Sequence, residues 1–593
     1  MMAQSMLFLF FVLVKSCFGR IFTAPEQLTT TSYDFIVVGA GTAGCVIASR
    51  LSENPSATVL LIEAGVSDNG TDSAVLSTPF LAAQAVGTIF DWNYTTTSQV
   101  GLNGRTMPYP RGFVLGGSSS INSMVYARGP SEDWDRIATT SGDDGWSWNN
   151  LQQFIFKNER HAPAWNNRSN VGEYNPKVHG HGPLMTSLTA NPSELDHRVI
   201  NTTAELADEF PFNLDLNSGD GLGFGWLQST IGDSARSSSA TAYLHPALNS
   251  RSNLDLLLNT QVMNLISTGG AATTLNGVRA SQSETAANFT FTAAKEVILS
   301  AGTIGTPQIL MLSGVGPKEE LEKFDITTLV DAPDVGRNMQ DQPIFFLQWA
   351  ANGDTLFSFL NDPDAINAAL AQYEQNKTGL AASSIVFNTI GFLRLPDNSS
   401  LLENGDPSSG PHAAHYQISF IDTFNGNGNQ VAPTDGNWIS GSVVLISPTS
   451  RGSINLTSSS AFDHPLIDPS FFTTSFDIGT AIEAVKTLQT FLAASAFDGF
   501  IGSPVTNLTT DAQIEAYVRA AAVTIKHCVS TAKISKANET GGVVGPHLQV
   551  KGVDGVRVVD ASIFPFTVGG FPQAEVYIVA ERAASLIKET WSL

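Results

Sequence analysis

The sequence predicts an α/β fold, α+β overall, in which a discontinuous Rossmann-like domain is interrupted by a second domain built on β-sheet. Three observations carry this expectation. An apolar strand enters a glycine-rich turn over Tyr33–Gly44, and strand-to-helix units return at Lys295–Gly316 and Val556–Ile587. Between them, Leu151 to Gln228 and roughly Phe345 to Phe500 show apolar–polar alternation broken by Gly, Pro and Asn, the pattern of half-buried strands and their turns.

The first unit reads Tyr33-Asp-Phe-Ile-Val-Val-Gly39-Ala-Gly41-Thr42-Ala-Gly44. Gly39 permits a tight turn, Gly41 lets the backbone approach a pyrophosphate, and Gly44 lets the following helix pack on its strand. That helix directs its N-terminus at the phosphates. A second apolar run, Val59-Leu-Leu-Ile62, ends in Glu63, about 20 residues on, where a carboxylate meets a ribose with free hydroxyls. The arrangement selects FAD or NAD and argues against NADP.

In the second unit, Lys295-Glu-Val-Ile-Leu-Ser-Ala-Gly302 is a strand opening onto a helix, with Pro307 expected in the first turn and Gly314 at the C-cap. In the third, the strand Val556–Asp560 precedes Ala574–Ile587, whose spacing predicts an amphipathic helix. Asp560 ends its strand where ligands collect in open α/β sheets.

At 593 residues and 42% hydrophobic content, the chain can build large cores and more than one domain. A formal net charge of −23 without a basic run argues against nucleic acid and against an anionic membrane surface as partners. Met6–Val14 is apolar but too short to span a bilayer, and Cys17 and Gly19 occupy −3 and −1 positions, so residues 1–19 read as a secretory signal. Sequons at Asn69, Asn93, Asn167, Asn201, Asn288, Asn376, Asn398, Asn455, Asn507 and Asn538 fit a secreted, glycosylated product with no membrane span after cleavage. Only Cys45 and Cys528 outlast the leader, so no disulfide framework is expected. His179-Gly-His181 lacks a third clustered ligand, and no metal is expected.

Longer motifs narrow the reading. Pro110-Arg-Gly-Phe-Val-Leu-Gly116-Gly117-Ser118-Ser-Ser-Ile-Asn122 offers glycine backbone and several hydroxyl donors, as close approach to a flat ring requires. Gly302-Thr-Ile-Gly-Thr-Pro307-Gln-Ile-Leu-Met-Leu-Ser-Gly-Val-Gly316 is a second long block; Arg236–Tyr243, Val335–Asp341 and Asp560–Pro565 are shorter ones. With the nucleotide fingerprint, these blocks resemble the glucose-methanol-choline oxidoreductases over essentially the whole mature length, and most of all the fungal aryl-alcohol oxidases.

The resemblance implies FAD-binding segments at 33–150, 229–344 and 505–593, the last also carrying active-site residues, and substrate-domain segments at 151–228 and 345–504. It implies cofactor contacts from Gly39, Gly41, Thr42, Gly44, Glu63, Gly116, Gly117, Ser118, Asn122, Val262, Gly302, Asp560 and Ala561. Some relatives carry a flavin-linked histidine where this chain has Asn122, which implies noncovalent FAD. It further implies a monomer that oxidises a small-molecule alcohol and passes electrons to O2 or a quinone.

His527, in Thr524-Ile-Lys-His527-Cys-Val-Ser-Thr531, matches the family's base, and a neutral imidazole suits proton removal. Counting on from Pro565 puts Phe571 where relatives have a second His or Asn, and a phenyl ring neither donates nor accepts a hydrogen bond to a substrate oxygen. Gln573 and Lys526 are the candidate substitutes. Ser123, Lys526, Cys528 and Gln342 also depart from the pattern. The nucleotide half is intact and the substrate half altered, which points to a bulky hydrophobic or aromatic alcohol. A lyase-like reaction without net redox change and an inactive FAD-binding protein stand as alternatives.

Overall fold

The computed structural model describes residues 18–70, 72–427 and 430–593; the expected leader, apart from Phe18 and Gly19, lies outside the described residues. Two large sheets organise the chain. The first has eight strands, in the order Arg20–Phe22, Leu254–Leu257, Val59–Ile62, Ser32–Val38, Phe289–Leu299, Gly277–Ser281 and Gln261–Ile266, with Val556–Val558 joined to the far end of Phe289–Leu299. Pairings from Arg20–Phe22 to Phe289–Leu299 and onto Val556–Val558 are parallel, and the last two strands of the order run antiparallel. Strands buried on both faces need continuous apolar runs, and Val59–Ile62 and Leu254–Leu257 are buried throughout.

The helix Thr42–Leu51 follows the first glycine turn and packs on the C-terminal helix Pro572–Trp591. That last helix differs from its expected amphipathic character. It is buried on nearly every face from Ala574 to Ile587, because Thr42–Leu51 covers one side and Trp148–Asn158 another. Pro307 also departs from expectation: the helix starts at Gly302, so the proline lies inside it. A proline cannot bond back to the carbonyl four residues earlier. Here the orphaned Thr303 carbonyl accepts from the Thr531 hydroxyl at 2.7 Å, and the helix continues to Leu312, with Gly314 beyond its end at φ +80°.

The second sheet has seven strands, all antiparallel. Its order is Ile501–Pro504, Pro343–Ala351, Asn437–Leu445, Tyr416–Ile421, Thr389–Leu393 and Gly223–Trp226, with Val523–Thr524 added beside Pro343–Ala351. Successive side chains alternate between faces. Phe345, Leu347 and Val443 join a core with the helix Ser475–Leu492, while Ile344, Ile390 and Val444 face the other way and share a cluster with Phe571. The stretch Leu151–Gln228 is less β-rich than its alternation suggests. It holds the rest of the helix Trp148–Asn158, the capped helix Glu194–Glu205, and only short strands. Ser193 and Asp196 form a capping box there, a local start signal that outweighs the alternation.

Candidate active site

Two glycine loops meet at the C-terminal edge of the parallel sheet. Gly116 donates its N–H to the Ala40 carbonyl at 2.8 Å, and a Cβ on Gly117 would lie 2.7 Å from the Cα of Gly41. Gly44 is as tightly constrained, since a Cβ there would meet the Gly39 carbonyl oxygen at 1.9 Å. Gly39 itself has φ +96° and rests against Ser300. Thr42 begins the helix that leaves this cradle, and Ser118 begins the short helix Ser118–Ile121 leaving the other loop.

Glu63 closes one side. Its buried carboxylate accepts N–H bonds from Ala40 and Gly65, each at 2.8 Å, and burial raises its pKa to about 7 against the pull of those donors. Thr260 donates its N–H to the Glu63 carbonyl at 3.0 Å, which brings the turn before buried Val262 alongside. On the opposite side Asp560 accepts from the Gly302 N–H (2.9 Å), the Thr306 hydroxyl (2.6 Å) and the Ser562 N–H (2.8 Å). Asp560 therefore holds the start of the helix Gly302–Leu312, and half-buried Ala561 follows it.

The cradle accommodates a dinucleotide. A Cβ on Gly302 would meet nothing within 4 Å, so that backbone borders open space, and one on Gly41 would make only ordinary contacts, the nearest at 3.9 Å to the Gly117 Cα. The buried Ser300 hydroxyl at the same edge has no hydrogen-bond partner among the described residues. Backbone N–H groups, a helix N-terminus and a ribose-side carboxylate make up the donor and acceptor set such a cofactor needs.

The catalytic candidates lie on the second-sheet side. His527 follows the strand Val523–Thr524, and its ring lies edge-on to that of Phe571 with centroids 5.1 Å apart at 82°. Asp341 and Gln342 grip this histidine from two directions. Asp341 Oδ1 accepts the His527 backbone N–H at 2.8 Å, and Gln342 Oε1 lies 2.7 Å from His527 Nδ1. Asp341 is buried and also accepts hydroxyl bonds from Tyr109 and Thr524, each 2.5 Å, and the Gln342 N–H at 2.8 Å. Burial pushes the Asp341 pKa up while these four donors oppose the shift.

Desolvation, with the Arg111 and Lys526 cations behind it, lowers the His527 pKa to about 3. The half-buried imidazole is therefore neutral at neutral pH. Lys526 holds φ +68°, and its carbonyl accepts from Arg111 Nη1 at 2.7 Å.

Gln573 is tied down. Its Oε1 accepts from Asn122 Nδ2 at 2.8 Å and its Nε2 donates to the Val125 carbonyl at 3.0 Å. Asn122 Oδ1 in turn accepts from the Met124 N–H and from buried Arg236. Phe571 caps the C-terminal helix, donates its N–H to the Ala127 carbonyl at 3.0 Å, and is 5% exposed within an apolar cluster that includes Val125, Leu227, Ile344 and Phe387. Spacing in the sequence carries no sign of the Tyr109–Asp341–Thr524 bonds, which join residues from three distant segments.

Two remaining features are structural. His179 lies between Glu159 and Asp215, 2.8 Å from the latter, in a buried network with Arg128, and His181 is exposed. Cys45 and Cys528 are both buried and free.

Fold and site together define an α/β protein with a dinucleotide-type cradle, and the candidate histidine is tied to it through its neighbour Cys528, whose carbonyl accepts from the Thr303 hydroxyl at 2.8 Å. Comparison with known proteins gives the family. Two family models described as GMC oxidoreductase match residues 33–344 and 448–580. The chain belongs to the glucose-methanol-choline oxidoreductases, flavoprotein enzymes that act on CH–OH groups. It is 38% identical to pyranose dehydrogenase 3 of Leucoagaricus meleagris, covering 96% of this chain and 95% of that one. It is 36% identical to dehydrogenase eriK of Hericium erinaceus, covering 97% of each. Among solved structures, a formate oxidase from Aspergillus oryzae superposes with TM-score 0.86 at 28% identity over 95% of this chain and 99% of that one. A fungal aryl-alcohol oxidase shares the fold, with TM-score 0.81 at 23% identity over 95% of this chain and 100% of that one.

Proposed function

We propose that this enzyme oxidises a bulky hydrophobic primary alcohol, aromatic or terpenoid, to the aldehyde, with His527 as the base and FAD held noncovalently. FAD, when bound in the glycine cradle, supplies the hydride acceptor. Gly39, Gly41, Gly44, Gly116 and Gly117 admit it by backbone approach, and Glu63 and Asp560 organise the two sides of the cradle. Asn122 is an amide bonded to Gln573 and Arg236, with no nucleophile for a covalent link.

The observation that carries this reading is the juxtaposition of His527 and Phe571 at 5.1 Å. The imidazole takes the hydroxyl proton, and the phenyl ring with its apolar cluster offers surface to a hydrophobic substrate rather than a hydrogen bond to a sugar. Apolar surface excludes water from the reacting alcohol and strengthens the electrostatic contribution of each polar group that remains. The electron acceptor is O2 or a quinone.

A second reading rests on the same phenyl ring. Without a donor at residue 571, and with Gln573 bonded at both ends, alkoxide development lacks one stabilising contact, which favours a reaction without net redox change or a binding role. Anaerobic mixing with aromatic, terpenoid and small aliphatic primary alcohols separates the two. Bleaching of the oxidised flavin band, reversed on admitting O2 or a quinone, supports oxidation; turnover with the band unchanged supports the second reading.

We assign the product to the secreted, glycosylated class. The sequon asparagines are exposed, except half-buried Asn455, and no described helix is long and apolar enough to cross a membrane.

A further inference from the structure

The contact between Gln342 and His527 has a direction that the rest of the structure determines. Gln342 is 1% exposed, and its Nε2 donates to two main-chain carbonyls, Ile446 at 3.1 Å and Val568 at 3.2 Å. Turning the amide over would replace both bonds by oxygen–oxygen contacts in a buried place, so the orientation is locked. The atom facing the histidine is therefore the Oε1 carbonyl oxygen, 2.7 Å from Nδ1. A carbonyl oxygen only accepts, so Nδ1 carries the proton. In the neutral ring the remaining lone pair is then on Nε2, which has no hydrogen-bond partner among the described residues.

We propose that Gln342 is a positioning residue that holds His527 in the Nδ1–H tautomer and so leaves Nε2 as the proton acceptor. The inference rests on His527 being the base. Gln342 also has a chemical character that a carboxylate or an imidazole would not share. A neutral acceptor selects the tautomer without strongly favouring the imidazolium, whereas a carboxylate in the same place would stabilise the charged ring. The other charged groups around the ring agree with this. Arg111 and Lys526 oppose its protonation, and Asp341 is spent on the His527 backbone N–H, Tyr109, Thr524 and the Gln342 N–H. Burial and these cations thus act with the neutral amide to keep the ring uncharged.

The test uses FAD-loaded wild type, Gln342→Leu, Gln342→Glu and His527→Ala, with an alcohol that the anaerobic screen identifies. Gln342→Leu removes the acceptor, and kcat should fall about tenfold or more with KM little changed, because part of the enzyme holds the unproductive tautomer. Gln342→Glu should move the acid limb of kcat/KM upward by about 1 to 3 pH units, the displacement expected when an opposite charge adjoins a titrating group. A structural role alone would not shift that limb in this direction.

An independent readout is the ring nitrogen spectrum of wild type labelled with 15N-histidine, in which the His527 resonances, assigned by their loss in His527→Ala, should show protonated Nδ1 and bare Nε2. A bare Nδ1 in wild type overturns the proposal whatever the activities are, and this holds even if Gln342→Leu fails to fold. Unchanged kcat in folded Gln342→Leu, or an unmoved acid limb in Gln342→Glu, also overturns it while His527→Ala remains inactive. If His527→Ala itself turns over normally, the base assignment falls instead.

Discussion

The nucleotide cradle and the catalytic mouth are built by opposite means. In the cradle the essential positions are glycines, and what they contribute is the absence of a side chain: Gly44 against the Gly39 carbonyl, Gly117 against Gly41. In the mouth the chemistry lies in side chains held by other side chains, with His527 on Gln342 and Asn122 on Gln573. At Gly44 and Gly117 the backbone-built site tolerates almost no change, because an added Cβ would meet main chain at 1.9 and 2.7 Å. A site made of side chains can exchange one group and change its substrate while the scaffold persists. On the proposed function, Phe571 is such an exchange.

The largest expected effect falls on the cradle. Gly44→Ala puts a Cβ 1.9 Å from the Gly39 carbonyl oxygen unless the helix Thr42–Leu51 moves off its strand. Overpacking of this kind costs about 3 kcal/mol or more where backbone must shift. The variant should be recovered without flavin, read as loss of visible absorbance relative to protein, and with a lowered melting temperature. Full flavin occupancy in Gly44→Ala would break the contrast, showing that the cradle yields as readily as the mouth.

Phe571→His tests the other side and should be smaller. It supplies a hydrogen-bond donor near His527 but removes apolar surface and places an imidazole in an apolar cluster. A restored donor is worth about 10² to 10³ in rate where charge develops on oxygen. Turnover of small polar alcohols should rise toward that range, while KM for a bulky apolar alcohol should worsen by about tenfold or more, from the lost burial of a phenyl ring. FAD content should be unchanged. A folded variant with normal flavin, no gain on polar alcohols and no loss on apolar ones would show that residue 571 does not discriminate substrates.

The two regions also differed in how far the sequence disclosed them. The first half of the cradle was legible because its determinants are local: Gly39, Gly41 and Gly44 lie within six residues, Glu63 ends the next apolar run, and apolar stretches lead into both; the Gly116–Gly117 loop showed as a second contiguous motif. The mouth was legible only as single positions. His527 stood out by its match to a family pattern, Phe571 and Gln342 by their departures from it, but nothing in their spacing said that Gln342 would meet the ring, or that Gln573 would be bonded to Asn122. Those contacts depend on bringing residues 122, 342, 527 and 573 together across both sheets. The interior Pro307 and the burial of Pro572–Trp591 on nearly every face escaped for a related reason. A distant Thr531 hydroxyl serves one, and two helices far apart in the chain enclose the other.

The smallest effect sharpens the comparison most finely, because Gln573 belongs to both regions. Its Oε1 takes a bond from Asn122, at the end of the second glycine loop, and it lies two residues beyond Phe571 in the first turn of the C-terminal helix. Gln573→Leu keeps much of the bulk but leaves Asn122 Nδ2 without its acceptor and the Val125 carbonyl without that donor. Leaving such groups unpaired costs about 1 to 3 kcal/mol, less where water enters. The expected outcome is a modest fall in melting temperature and faster flavin release, with the pH dependence of kcat/KM unchanged because His527, Gln342 and Asp341 are untouched. An altered acid limb in Gln573→Leu would mean that the cradle and the mouth are coupled through this amide, so that the backbone-built and side-chain-built halves do not vary independently.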